Sequence, residues 1–194
     1  TPVAVKMPTG TTVTAFSTGA NSTCAITNSG DVYCWGFGGP SNGNGTSDQK
    51  VVPTKVLNIT GATQISMGTT HACALVTGGA AYCWGGGGPL GDGTPGVSKA
   101  TPVAVLGGHL FTAISAGNRN TCALKSDRSV WCWGFNGDGQ LGDSTTLFRQ
   151  VPVAIPVTAS ALIAGGNNGN NGDHRCAVSV DGRGVLCWGQ GTAG

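Results

Sequence analysis

Apolar residues along this chain fall in short runs separated by stretches rich in glycine, serine and asparagine, and nowhere do they recur at helical spacing. The runs themselves repeat. A proline-led apolar strand is written four times, as Pro2-Val3-Ala4-Val5, Pro53-Thr54-Lys55-Val56, Pro102-Val103-Ala104-Val105 and Pro152-Val153-Ala154-Ile155. Proline is tolerated as the first residue of a strand, where its missing N–H need not pair. A second short strand follows, ending near glycine, as in Ala113-Ile114-Ser115-Ala116-Gly117. Next comes a hairpin, Thr121-Cys122-Ala123-Leu124 with Val130-Trp131-Cys132-Trp133, and then a glycine-rich loop to the next proline. Four short β segments per unit predict an all-β, propeller-type repeat array in one domain, with blades at approximately 1–50, 51–99, 100–149 and 150–194.

All the cysteines lie on these hairpins. Cys24, Cys73, Cys122 and Cys176 are each followed about ten residues later by Cys-Trp-Gly, at Cys34-Trp35, Cys83-Trp84, Cys132-Trp133 and Cys187-Trp188, with a period of 49 to 55 residues. If the two cysteines of a unit face each other, the first two hairpins have three-residue loops, Asn28-Ser29-Gly30 and Thr77-Gly78-Gly79, with glycine where a left-handed residue is required. The third, Ser126-Asp127-Arg128, breaks that rule, so Arg128 is either strained or in a different loop. The fourth has one extra residue, which suits a two-residue Asp181-Gly182 turn. Opposed cross-strand cysteines are close enough to bridge, and the expected pairs are Cys24–Cys34, Cys73–Cys83, Cys122–Cys132 and Cys176–Cys187. Zinc is the rival reading, but the chain has no Cys-x-x-Cys and no clustered histidine. Four bridges imply an oxidising compartment and an exported protein, extracellular or at the cell surface.

The units resemble the repeats of the regulator of chromosome condensation family. The third matches best, through Ser115-Ala116-Gly117, Cys122-Ala123-Leu124, Val130-Trp131-Cys132-Trp133-Gly134, Asn136 and Gly139-Gln140-Leu141-Gly142-Asp143. The second keeps His71, Ala74-Leu75, Trp84-Gly85 and Leu90-Gly91-Asp92. The cysteine pairs look like those of secreted bacterial branches of that family. The resemblance implies a propeller, commonly of seven blades, in a family that includes exchange factors for small GTPases, a protein inhibitor of β-lactamases and surface proteins. It transfers no functional residue to this chain.

Four units leave ring closure open. A closed four-bladed propeller, a fragment of a longer chain, an oligomer completing a ring and an open stack are all compatible with the pattern. From each Cys-Trp-Gly tryptophan to the proline that leads the next repeat there are 18, 18 and 19 positions, whereas joining Gly194 to a second Thr1 would give eight, so the units do not simply run on. No signal peptide is visible, and Thr1 is expected to follow a processed or omitted segment. Charged residues make up 9% of the chain, against about a quarter in ordinary domains. The net charge of +2 comes without a basic cluster, which leaves no footprint for nucleic acid, and no run is long enough to span a membrane. A surface with so few charges to desolvate suits close protein–protein packing.

No catalytic constellation emerges. The three histidines, His71, His109 and His174, accompany no Gly-x-Ser-x-Gly, P-loop or His-Glu-x-x-His, and an enzyme is not expected. His71 and His174 share one repeat position, two before the first cysteine, where the other units have Ser22 and Asn120. That reads as a structural feature. The segment 136–143 has calcium-like oxygens without the EF-hand spacing, and turn capping explains it more simply. No metal and no cofactor are expected. Trp35, Trp84, Trp133 and Trp188 are expected to pack between neighbouring blades. An insert in the fourth unit, with Asn167, Asn168, Asn170, Asn171 and Asp173, is a candidate partner-contact loop, and the loop 37–49 is a second. Three Asn-x-Ser/Thr sequons, at Asn21, Asn44 and Asn58, matter only in a source that glycosylates exported proteins.

The expected function is therefore structural: a non-enzymatic extracellular repeat protein that self-assembles at the cell surface as a filament or sheath subunit, its main partner being itself. The alternative is a soluble propeller that recognises another protein through its loop face.

Overall fold

The computed structural model describes residues 1–88, 90–163 and 174–190. Strands follow one another within each sheet as they do in sequence, the first three strands of each of the first three blades joined by short turns and the fourth returning through a long glycine-rich loop. The first sheet runs β1 (Val13–Thr18), β2 (Ser22–Thr27), β3 (Val32–Gly36), β4 (Lys50–Lys55). The second runs β5 (Ala62–Met67), β6 (His71–Val76), β7 (Ala81–Gly85), β8 (Lys99–Ala104). The third holds six strands, β9 (Ala113–Ala116), β10 (Asn120–Leu124), β11 (Ser129–Gly134), β12 (Arg149–Ile163), β13 (His174–Ser179) and β14 (Val185–Gly189). It is two blades sharing a strand: β12 pairs with β11 up to Thr158 and with β13 from Ala159.

The cause of that fusion lies in the linkers. Between the first and second blades the chain bends through left-handed residues at Asn58 and Gly61, and between the second and third through Gly107 and Gly108. The corresponding stretch after Ile155 is Pro156-Val157-Thr158, which has no glycine, a fixed φ at proline and two β-branched residues that favour extended backbone. It is also two residues shorter, counted from Pro152 to Gly165 against Pro102 to Gly117. The strand therefore continues straight from one blade into the next.

One expectation is corrected. The proline-led strand does not open its unit. It is the fourth, outermost strand of the preceding blade, with Cys34 opposite Thr54, Cys83 opposite Val103 and Cys132 opposite Val153. The glycine-rich loop after each Cys-Trp-Gly folds the chain back beside that hairpin, and proline is accommodated on an outer edge. The sheets accordingly span 13–55, 62–104, 113–158 and 159–189 rather than starting at each proline. The first proline-led segment, 2–5, forms no strand.

The hairpins keep the expected cysteine register, with Cys24 opposite Cys34, Cys73 opposite Cys83, Cys122 opposite Cys132 and Cys176 opposite Cys187. All four pairs are disulfides, with Cα atoms 4.1 Å apart. Arg128 adopts the left-handed conformation, φ 69°, that glycine takes in the first two loops. The fourth loop differs from the expected two-residue turn. Ser179 N–H bonds to the Gly184 carbonyl, so four residues are looped out, and Asp181 accepts from Ser179 Oγ and Arg183 N–H. Asp181 keeps a negative φ, which a type I′ turn does not allow.

The core lies between blades. Three apolar clusters each join the hairpin face of one blade to the next blade's strands, and the disulfides of the first three blades are buried within them. The fourth differs, because Cys187 is exposed. Two results follow. Replacing Cys73 and Cys83 together by alanine is expected to cost about 2–3 kcal/mol, the chain-entropy value for a loop this short, read as a lower denaturation midpoint. Under limiting dithiothreitol without denaturant, Cys176–Cys187 is expected to open first, as alkylation and mass mapping will report.

Candidate assembly interface

Each interior tryptophan reaches back onto the blade before it. Trp84 Nε1 donates to the Ser41 carbonyl at 2.9 Å, and its indole lies against Gly43, where a Cβ would come within 2.7 Å of Nε1. Gly43 has φ 67°, so both the left-handed backbone and the flat ring contact require glycine there. Trp133 rests in the same way on Gly91, and Trp188 on Gly142. Trp84 and Trp133 are fully buried and Trp188 is half-buried against the third blade. Trp35 is the exception. No blade precedes its own among the described residues, and it lines an open groove with Val5, Met7, Val13, Phe16 and Ala25, in which Phe16 is 70% exposed.

Beside each tryptophan seat runs a polar layer. The residue two before the first cysteine of one blade meets the residue one before the first cysteine of the next. His71 Nε2 lies 2.7 Å from Thr121 Oγ1. Asn120 Oδ1 accepts from Arg175 Nε at 2.7 Å, and its carbonyl accepts from Nη2 at 2.7 Å. In the first pair the partner of Ser22 would be Ala72, which has no hydroxyl, and Ser22 Oγ is buried without a bond. Burial, reinforced by the Arg175 charge, pushes the His71 pKa down to about 3. Backbone contacts add to the layer: Met67 N–H donates to Ser17 Oγ at 3.0 Å and Ala116 N–H to Ser66 Oγ at 2.9 Å.

In the first and fourth blades the corresponding surfaces are not covered by another described blade. The first blade presents Trp35, Phe16 and Thr23. The fourth presents Cys187, His174, Val185 (59% exposed) and Leu186 (42% exposed). Contacts of any size join successive blades only, β1 and β2 with β5, β5 and β6 with β9, β9 and β10 with β12. The first and fourth sheets do not pack together, so the described array is an open arc.

The other candidates fall elsewhere. Asn167, Asn168, Asn170, Asn171 and Asp173 lie outside the described residues. In the loop 37–49, Ser41 and Asn42 are buried and structural, with Asn42 Nδ2 tied to the carbonyls of Gly36 and Asp48, while Phe37 is exposed. In 136–143 the Asn136 amide bonds Asp143 and its oxygen accepts from Leu141 N–H, and Asp143 is further held by Arg149 at 2.6 Å. These oxygens are consumed within the loop. Among the described residues no three metal-ligating side chains cluster, and no helix is long and apolar enough to cross a membrane. His109 stacks on Trp131 with ring centroids 4.1 Å apart.

The interlocking of adjacent units at these two positions escaped sequence reasoning. Its signal was present as two columns, Ser22, His71, Asn120, His174 and Thr23, Ala72, Thr121, Arg175, but the partner of each residue sits one repeat further on.

No curated protein matches this sequence. Among solved structures, the fold is similar to human WBSCR16 (21% identity, TM-score 0.77, covering 91% of this chain and 47% of that one). It is similar also to Prp20p from Saccharomyces cerevisiae (19% identity, TM-score 0.77, covering 97% and 48%). The computationally designed Ika4 protein is a more distant match in fold (15% identity, TM-score 0.51), but coverage is 97% of this chain and 96% of Ika4. The chain thus spans about half the length of the two natural propellers. Models of the regulator of chromosome condensation (RCC1) repeat match residues 13–46, 62–88, 111–140 and 127–170, and the chain belongs to that family.

Proposed function

We propose that this chain is a non-enzymatic, exported structural protein that self-assembles at the cell surface. One observation carries the reading: among the described residues, the first and fourth blades each expose apolar side chains, Phe16 in one and Val185 and Leu186 in the other, on faces whose counterparts are buried between blades. Scarce charge supports it, since docking such faces desolvates few ions. Four disulfides support export, as bridges persist in oxidising compartments. The hydroxyl beside a histidine, Thr121 Oγ1 at 2.7 Å from His71 Nε2, is fully buried between blades, which supports a structural role for that pair. Light scattering without reductant is expected to give a mass above the 19.2 kDa chain that grows with concentration. A single species at the chain mass at every concentration would overturn the proposal.

A second reading, recognition of another protein, draws on the family. Prp20p is described with its binding to Gsp1p and histones, and propellers of this kind present loops as contact surfaces. Exposed Phe37 and Phe148 are the aromatic anchors such a surface would use here. Partner capture that fails on replacing Phe37 by serine, in a protein that stays monomeric, would favour it.

A further inference from the structure

We infer that the cleft between the first and second blades binds a single neutral sugar residue, with Phe37 as its platform and Ser22 and Asn42 as the groups that hold one hydroxyl. The inference goes beyond self-assembly and does not depend on it, because the site lies inside the array. Three observations meet at the same spot.

The first is the cleft itself. It measures about 260 Å³ and lies between segments 19–22 and 37–41 of one blade and 67–70 with Gly86 of the next. Smaller residues hollow this interface than fill the following one. Between the second and third blades His71 meets Thr121, whereas the same two repeat positions here hold Ser22 and Ala72. Two residues after its tryptophan the third blade has Phe135, with the Arg119 guanidinium over the ring, and the second blade has Gly86.

The second observation is a pair of buried polar atoms that make no hydrogen bond. Ser22 lines the cleft and is only 7% exposed, and its Oγ has no partner; Asn42 is fully buried, and its Oδ1 has none either. Both atoms face Gly38, where a Cβ would strike Ser22 Oγ and come within 3.3 Å of Asn42 Oδ1. Repeat position does not demand them. Asn42 precedes the glycine on which a tryptophan rests, as do Leu90 and Leu141, both buried and apolar. Gly38 stands three residues after its tryptophan, where the third blade has Asn136, whose oxygen accepts from Leu141 N–H at 2.9 Å. In the first blade Asn42 Nδ2 serves the carbonyls of Gly36 and Asp48, and the amide oxygen is left over. Burying an unpartnered polar atom is costly, so two at one spot point to a ligand group. A hydroxyl satisfies both, donating to the amide oxygen while accepting from the serine.

The third observation is the character of the walls. None of the described residues that line the cleft is charged, which disfavours a carboxylate or phosphate as ligand. Phe37, 71% exposed at the rim, offers apolar surface together with Pro40 and Met67, and the exposed Asn21 and Thr70 add an amide and a hydroxyl. An uncharged site with an aromatic face and a floor that holds a hydroxyl fits the C–H and O–H surfaces of a sugar ring. Its volume is below the roughly 300 Å³ at which pockets for drug-sized ligands begin, so one ring enters and a longer glycan stays outside.

The test is an amide NMR titration of the full chain with the methyl glycosides of glucose, galactose, mannose and N-acetylglucosamine. At least one is expected to shift the amides of Ser22, Phe37, Gly38, Thr70 and Gly86 with a Kd of about 1 mM, the affinity of a ligand of about a dozen non-hydrogen atoms at ordinary efficiency. Methyl glucuronide, which carries a carboxylate, is expected to bind several-fold more weakly. Ser22→Ala is expected to weaken binding about 5-fold, the value of one hydrogen bond, without lowering the urea midpoint of the sugar-free chain. Phe37→Ala, at an exposed position, is expected to weaken binding several-fold and to leave that midpoint unchanged as well. If no glycoside shifts these amides at about 10 mM, or if Ser22→Ala binds as the parent does, the inference fails. A lower midpoint in Ser22→Ala would show that the fold itself uses this hydroxyl, and would overturn the reading of it as a ligand group. Light scattering scores assembly separately: a monomer that binds sugar upholds this inference and overturns the self-assembly reading.

Discussion

Replacing Trp133 by alanine is expected to destabilise the protein by about 3–5 kcal/mol, the range for truncating a fully buried large aromatic. The ring is wholly buried between the second and third blades, against Cys73, Leu75, Cys83, Leu90 and Phe111. A repeat array is held together by the stability of each unit plus the interfaces between neighbours, and an interface that loses its central side chain uncouples the two halves. The expected signature is therefore more than a lower midpoint. Calorimetry or urea unfolding should resolve one transition into two. Trp35→Ala, at the same repeat position, is expected to leave the isolated chain almost unchanged, because Trp35 faces an open groove. A Trp133→Ala chain that melts as one unit near the parent midpoint would show that the blades do not depend on this seat.

Much of this architecture was legible because the repeats report on one another. Three cysteine pairs ten residues apart and a fourth eleven apart fix the hairpin register, and the cysteines face each other in all four blades. The turn chemistry was read correctly where glycine supplies a left-handed residue, as at Gly30 and Gly79, and less well at the fourth loop, where Asp181 caps its own backbone and draws in Arg183. Where a repeat begins is arbitrary in sequence, since any cyclic shift gives the same period. Pairing energy decides it, and the proline strands went to the hairpin before them. The candidate interface was legible only in part. A scarcity of charge and the prospect of open ends pointed to packing between molecules. The residues that shape the ends, Thr23 and His174, looked ordinary, because their meaning depends on an offset of one repeat that only the stacking of blades reveals.

The same stacking predicts a pH dependence. His71 is fully buried, with Nε2 beside Thr121 Oγ1 and Nδ1 without a partner. A proton on Nδ1 would be a buried donor with no acceptor, in a site already shadowed by the Arg175 guanidinium. Desolvation and that charge hold the pKa near 3, below the 6.5 of an ordinary histidine. Between those two values the unfolded chain takes up a proton that the folded chain refuses, so stability is greatest above pH 6.5 and falls as the pH drops toward 3. The slope is about 1.4 kcal/mol per pH unit, giving a loss of about 2–3 kcal/mol between pH 6.5 and 4.5. His109, whose pKa is also lowered by burial and by Lys125, adds a smaller slope of the same sign. The carboxylates held low by hydrogen bonds, Asp127 and Asp181, take up protons in the unfolded chain mainly around and below the ordinary aspartate value of 3.8, so histidine dominates the window above pH 4.5. Urea melts at pH 7 and pH 4.5 will measure the difference. In His71→Asn, which installs the side chain that Asn120 already provides at the next repeat, most of the slope is expected to vanish while the fold is kept. An unchanged slope in that variant would place the acid sensitivity elsewhere and refute a neutral, buried His71 as its source.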